Sequence, residues 1–136
     1  MAFRKVRGKT KNKWLPVTPS TAIAAGALVT LTSGKLVAAT STTAADDIAG
    51  VLVKAIVATD SDYASDRLVA VQIPMEPNTE WEFATSGLLA TDIGADVDLT
   101  DSVTVNRAAS AIGVVRPTKR LAATKGQGFV KINGSY

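Results

Sequence analysis

The chain has 136 residues and a mass of 14.1 kDa, which suits one domain with a short extension and not two ordinary domains. It contains neither cysteine nor histidine, which excludes disulfides, thiolate metal sites and every serine–histidine or cysteine–histidine mechanism within one chain. The net charge of +3 is uneven: Arg4, Lys5, Arg7, Lys9, Lys11 and Lys13 stand together without an acid, and the nine other bases against all twelve acids leave the body from Trp14 onward at −3.

No apolar run reaches the length of a membrane-spanning helix. Gly8-Lys9-Thr10-Lys11-Asn12 occupies the place where a secretory leader would carry its apolar core. The sequence therefore reads as that of a soluble protein, made where it works or released by lysis.

Residues 1–13 are polar, basic and aperiodic, so the segment is expected to be disordered or extended when free. Trp14 and Leu15 are the first large apolar pair, and Pro16 and Pro19 hold the following stretch extended. Residues 1–19 thus read as a basic arm and an anchored linker, and residues 20–136 as the folded domain. Gly26 to Thr32, Ser33-Gly34 and Lys35 to Ala39 form a predicted hairpin turning at Gly34. Strands follow at Ile48–Ala58 and Arg67–Ile73. Glu80-Trp81-Glu82-Phe83 alternates acids against aromatics, and Asp96-Val97-Asp98-Leu99 alternates likewise. Ala111–Val115 and Gly128–Ile132 complete the series, with Pro74, Pro77 and Pro117 expected just past strand ends.

The 22 alanines are scattered among Thr, Gly and Asp, with no window of helical period. Short helical turns fit only near Thr43–Asp47 and Gly87–Ile93. The chain is therefore expected to be all-β, a small barrel or sandwich. Gly26-Ala-Leu-Val-Thr-Leu-Thr32 also resembles Gly94-Ala-Asp-Val-Asp-Leu-Thr100. Each is followed by an Ile-Gly-Val-like strand (Ile48–Val51, Ile112–Val114) and a closing strand (Val71–Ile73, Val130–Ile132). An internal repeat over about residues 26–73 and 94–132 would give two similar halves, each an open sheet that buries its apolar face on the other.

The candidate chemical motifs are weak. Asp60, Asp62 and Asp66 have calcium-loop spacing only in part, since Ala64 and Val71 stand where ligands are required. Asp46 and Asp47 are adjacent and diverge on an extended chain. Asp96 and Asp98 share a face that the alternation makes the solvent side. Lys125-Gly-Gln-Gly128 lacks the strand–loop–helix context of a phosphate loop and reads as a hairpin loop. Trp81 and Phe83 suit a stacking platform or a core, and Glu80 and Glu82 between them favour the core or a subunit contact. No catalytic, cofactor or metal site emerges, and the sequence points away from an enzyme.

The basic segment is the strongest positive feature. Nucleic acid would call for bases on the folded body as well, and that body is net acidic. A membrane would call for an apolar face, which Phe3, Val6 and Trp14 barely supply. An acidic protein surface, met by an arm that orders on contact, fits best; a solvated tail is the plain alternative.

Ala24-Ala-Gly-Ala-Leu-Val29, Ser33-Gly-Lys-Leu-Val-Ala38, Thr40-Ser-Thr-Thr-Ala44 and Ile48-Ala-Gly-Val-Leu-Val53 stand in an order that resembles the capsid decoration, or cement, proteins of tailed bacteriophages. The arm, the Gly-Lys-Leu-Val strand and the Ile-x-Gly-Val-Leu strand resemble the lambda-type head decoration proteins. The second Gly-Ala-Asp-Val and Ile-Gly-Val are closer to decoration families with two β-barrel halves. The length and the strongly basic start depart from the lambda-type pattern. The resemblance implies a structural, non-enzymatic protein without cofactor, seated as a homotrimer on the outer surface of the virion head. There it would bind the major capsid protein and stabilise contacts between its subunits. Arg4, Lys5, Arg7, Lys9, Lys11, Lys13 and Trp14 are the positions that would form the capsid-binding arm. The alternative is a β-barrel that binds nucleic acid through the same arm.

Overall fold

In a computed structural model, which describes residues 2–132, the chain is all-β and forms two sheets. The five-stranded sheet comes from the first half of the chain. Its strands are β2 (Thr10–Pro16), β3 (Leu28–Thr32), β4 (Lys35–Ala38), β5 (Ile48–Leu52) and β6 (Leu68–Pro74), in the order β2-β6-β5-β3-β4. The six-stranded sheet comes almost wholly from the second half. It holds β7 (Glu80–Thr85), β8 (Asp98–Leu99), β9 (Thr104–Asn106), β10 (Val115–Ala122) and β11 (Lys125–Val130), in the order β10-β11-β7-β9-β8. Its sixth strand is β1 (Arg4–Arg7), which pairs with β7 beside the start of β9.

Local chemistry accounts for most of these elements. Ser33 and Gly34 both have positive φ, 51° and 78°, the backbone that a tight two-residue hairpin demands. Single 3₁₀ turns at Ala45–Asp47 and Ala90–Asp92 fall within the two stretches where helical turns were expected. Pro117 does not lie past a strand end but inside β10. It is tolerated because β10 is an edge strand and its register shifts between Pro117 and Lys119. Lys125-Gly-Gln-Gly128 is strand rather than loop, the turn having fallen at Ala123-Thr124. A Cβ on Gly128 would stand 2.2 Å from the Arg116 carbonyl oxygen, so the glycine marks a close approach of β10 and β11.

The core has two compartments. Leu28, Ile48 and Val51 of the five-stranded sheet pack against Trp81, Phe83, Leu99 and Val115 of the other. On the opposite face of the five-stranded sheet, Val29, Leu36, Leu52, Val71 and Ile73 enclose a second cluster with Val17, Ile23 and Ile56. This sheet is therefore apolar on both faces and curls. Just past β2, Val17 bridges to Leu36 of β4, and the Thr18 hydroxyl donates to the Leu36 carbonyl at 2.7 Å. Trp81 and Phe83 are fully buried and are core rather than a stacking surface. Each such ring contributes about 1.5–3 kcal/mol by leaving water.

Candidate functional site: the basic N-terminal strands

The basic segment is built into both sheets. Phe3 is buried in the core, its N–H donating to the Gly26 carbonyl at 2.9 Å, and this anchors β1 along β7. Gly8, with φ of 98°, then turns the chain against Thr79, where any Cβ would stand 2.6 Å from the threonine hydroxyl. β2 runs along β6 with unbroken register from Thr10 opposite Pro74 to Pro16 opposite Leu68. A segment expected as an arm and linker thus crosses from one sheet to the other.

The site residues divide by register. Arg4 lies opposite Glu82 and Arg7 opposite Glu80, and both arginines pair with those carboxylates, Arg7 at 3.1 Å. Lys125 of β11 reaches Glu82 from the other side at 3.2 Å. Lys5 and Lys9 are exposed, with no ion-pair partner among the described residues. On β2, Lys11 and Lys13 lie opposite Ile73 and Val71, whereas Asn12 and Trp14 lie opposite Gln72 and Ala70 on the other face. The structure therefore does not gather the seven residues into one patch. Arg4 and Arg7 close over the protein's own acids, Lys5 rides beside them on β1, Lys9 precedes β2, and Lys11, Lys13 and Trp14 lie on β2, the outer strand of the five-stranded sheet.

Trp14 is 63 % exposed and does not stand alone. Leu68 on β6 is 59 % exposed and Val53, just past β5, is 46 % exposed. The three line one groove with Asn12, Lys54 and Arg67. This face of the sheet continues the one that buries Val51 and Leu28, at the end that the six-stranded sheet leaves uncovered. Leu68 and Val53 escaped the sequence reading, because alternation alone does not tell a covered sheet face from one that its partner sheet fails to reach. The loop carrying Asp60, Asp62 and Asp66 is tied down by Arg67, which pairs with Asp62 and, at 3.3 Å, with Asp60.

Two acids of the alternating segments are buried, Asp98 against the expectation of a solvent side. Glu82 is covered by Arg4 and Lys125. Asp98 turns inward, its Oδ1 accepting the N–H groups of Ile112 at 2.9 Å and Gly113 at 2.7 Å. Side-chain alternation missed this, because the bulk of a hydrogen-bonded aspartate fits a loop with two unpaired backbone donors.

No protein-family model matches the chain, and no curated protein matches it significantly.

Three carboxylates, those of Glu82, Asp92 and Asp96, are held below their usual range by basic neighbours. The Arg4 guanidinium keeps Glu82 below the usual carboxylate range, against its own burial and with help from Lys125. Arg107, through two bonds of 2.9 Å, and the Leu89 N–H do the same for Asp92. Arg116, followed by Lys131, lowers Asp96. A general acid needs the opposite environment, one that keeps its proton near neutral pH. Among the described residues no acidic cluster suited to holding a metal ion occurs, and no helix is long and apolar enough to cross a membrane.

Proposed function

We propose that this is a structural protein that docks on another protein, and that it serves as a decoration or cement protein on the outer surface of a tailed-phage head. It would bind the major capsid protein, as a homotrimer, without enzymatic activity or cofactor. The observation that carries the reading is the exposed Trp14–Leu68–Val53 face beside a lysine-bearing edge strand, on a body whose buried Glu82 and Asp92 are locked in ion pairs. An exposed apolar face with an aromatic at its centre and charges at its rim is characteristic of a protein–protein contact. The sequence resemblance to decoration proteins supplies the kind of partner.

The two-half layout belongs to the same proposal. Hairpin β3–β4 has its counterpart in β8–β9. In the first half Leu28 pairs with Val51 and Val51 with Gln72; in the second Val97 bridges to Val115, and the Lys131 N–H donates to the Val114 carbonyl at 2.9 Å. These parallels support two copies of one unit, packed face to face.

The stabilising role is tested by heating DNA-filled heads that lack a decoration protein, with and without this protein added. The reading expects added protein to raise the temperature at which heads release DNA. An unchanged release temperature at saturating protein, with retention on free DNA instead, would transfer the protein to the nucleic-acid reading.

A further inference from the structure

The exposed face around Trp14 is shaped as a groove, and its floor is β6. Trp14 of β2 stands opposite Ala70, and Val53 lies on the far side of the same alanine, its N–H donating to the Ala70 carbonyl at 3.2 Å. A methyl group between an indole and a valine leaves a trough, which runs past Leu68 at one end. At the other end Gln72 lies between Asn12 and Val51. There a second hollow begins, lined by Gln72, Phe3 and Lys5, and Val53 is common to both. The two hollows, about 670 and 280 Å³, therefore form one channel along β6. From Leu68 to Gln72 the strand rises about 13 Å, the span of about five residues of extended chain.

The charges at its ends specify the occupant. Asp60 and Asp62, the carboxylates in its lining, are both paired with Arg67, and Arg4 is paired with Glu82. Lys5 at the Gln72 end and Lys54 at the Leu68 end are exposed, with no ion-pair partner among the described residues. Lys5 lies in register with the buried Trp81, so it stands on the inner face of β1 and lines the hollow. An apolar trough with an unpaired cation at each end is complementary to a segment of the reverse charge. Nucleic acid matches less well: two such cations neutralise few phosphates, and the aliphatic Val53 and Leu68 give bases no platform. We infer that this groove takes an extended segment of a partner protein, about five residues long, apolar through its middle and acidic at both ends. The inference rests on the proposal that this face is a protein contact, and not on the partner being a phage shell.

The test uses the full chain, isotope-labelled for NMR, titrated with the blocked pentapeptide Glu-Val-Leu-Val-Glu. Shifts are expected at the amides of Val53, Ala70 and Gln72 and at the Trp14 indole, with the buried Trp81 indole unmoved. Ala70→Leu raises the floor of the groove while adding apolar surface. A merely adhesive face would then bind more tightly, whereas the groove is expected to lose about tenfold in affinity. Lys5→Glu is expected to lose about fivefold at low salt and little at high salt. Neither side chain is buried, so both variants should keep a dispersed spectrum. The inference is overturned by unmoved groove resonances at millimolar peptide, by undiminished binding in Ala70→Leu, by equal binding of Lys-Val-Leu-Val-Lys, or by a short oligothymidylate that displaces the peptide. Groove resonances that stay silent while the protein still sediments with phage heads would overturn this inference alone and leave the docking proposal standing.

Discussion

Glu82 joins three strands with one carboxylate. It sits on β7 and takes Arg4 from one neighbour and Lys125 from the other, while its own side chain is 5 % exposed. Because its pKa is lowered on folding, as are those of Asp92 and Asp96, the folded protein binds fewer protons than the unfolded chain in the acid range. The stability these pairs contribute is complete above about pH 5 and drains away as pH falls through the depressed values. Thermal unfolding followed from pH 7 to pH 2 is expected to show a plateau and then a steep decline, and Glu82→Gln should make the decline shallower. Asp98 does comparable work without a cation. Asp98→Ala would leave the Ile112 and Gly113 N–H groups without their acceptor, and urea unfolding should register a loss of about 2–4 kcal/mol.

Among the elements, β1 and β2 change what the basic segment means. Their bases do not float before the domain; they ride on strands whose inward residues hold the fold. The Phe3 ring lies 6.5 Å from that of Phe83, and Ala2 and the Phe3 backbone press on Gly26 so closely that a Cβ there would stand 2.5 Å from the Ala2 methyl. Phe3→Ala is expected to cost about 3–5 kcal/mol in chemical denaturation, a core-sized effect from the third residue of the chain. The same comparison shows what local chemistry could reveal. The Ser33-Gly34 turn, the alternation around Trp81 and the closing strands were legible because turn residues and β-branched alternation act over a few positions. The pairing of Arg4–Arg7 and Thr10–Pro16 was not, because edge strands can carry bases on both faces and the acids that receive Arg4 and Arg7 lie more than seventy residues away. The groove at Trp14 was half legible: the tryptophan stood out, but Leu68 and Val53 became part of a site only once one sheet stopped short of covering the other.

At the scale of the whole molecule, ion pairs occur in both halves, and the exposed apolar face of Trp14, Leu68 and Val53 belongs to the five-stranded sheet. The six-stranded sheet spends Arg4, Arg7, Arg107 and Arg116 on its own acids. The first half pairs Lys35 with Asp66 and Arg67 with Asp60 and Asp62, and presents an exposed indole on β2. Such a surface associates through an apolar centre, with electrostatics adding rate and selectivity, so salt should weaken binding without abolishing it. The most direct measurement is co-sedimentation of the purified protein with expanded, DNA-free phage heads that lack a decoration protein, at low and high salt, alongside Trp14→Ala. The account predicts saturable binding that salt reduces and that Trp14→Ala reduces by about tenfold at either salt. Absence of binding to heads at low salt, or binding that Trp14→Ala leaves unchanged, would contradict it.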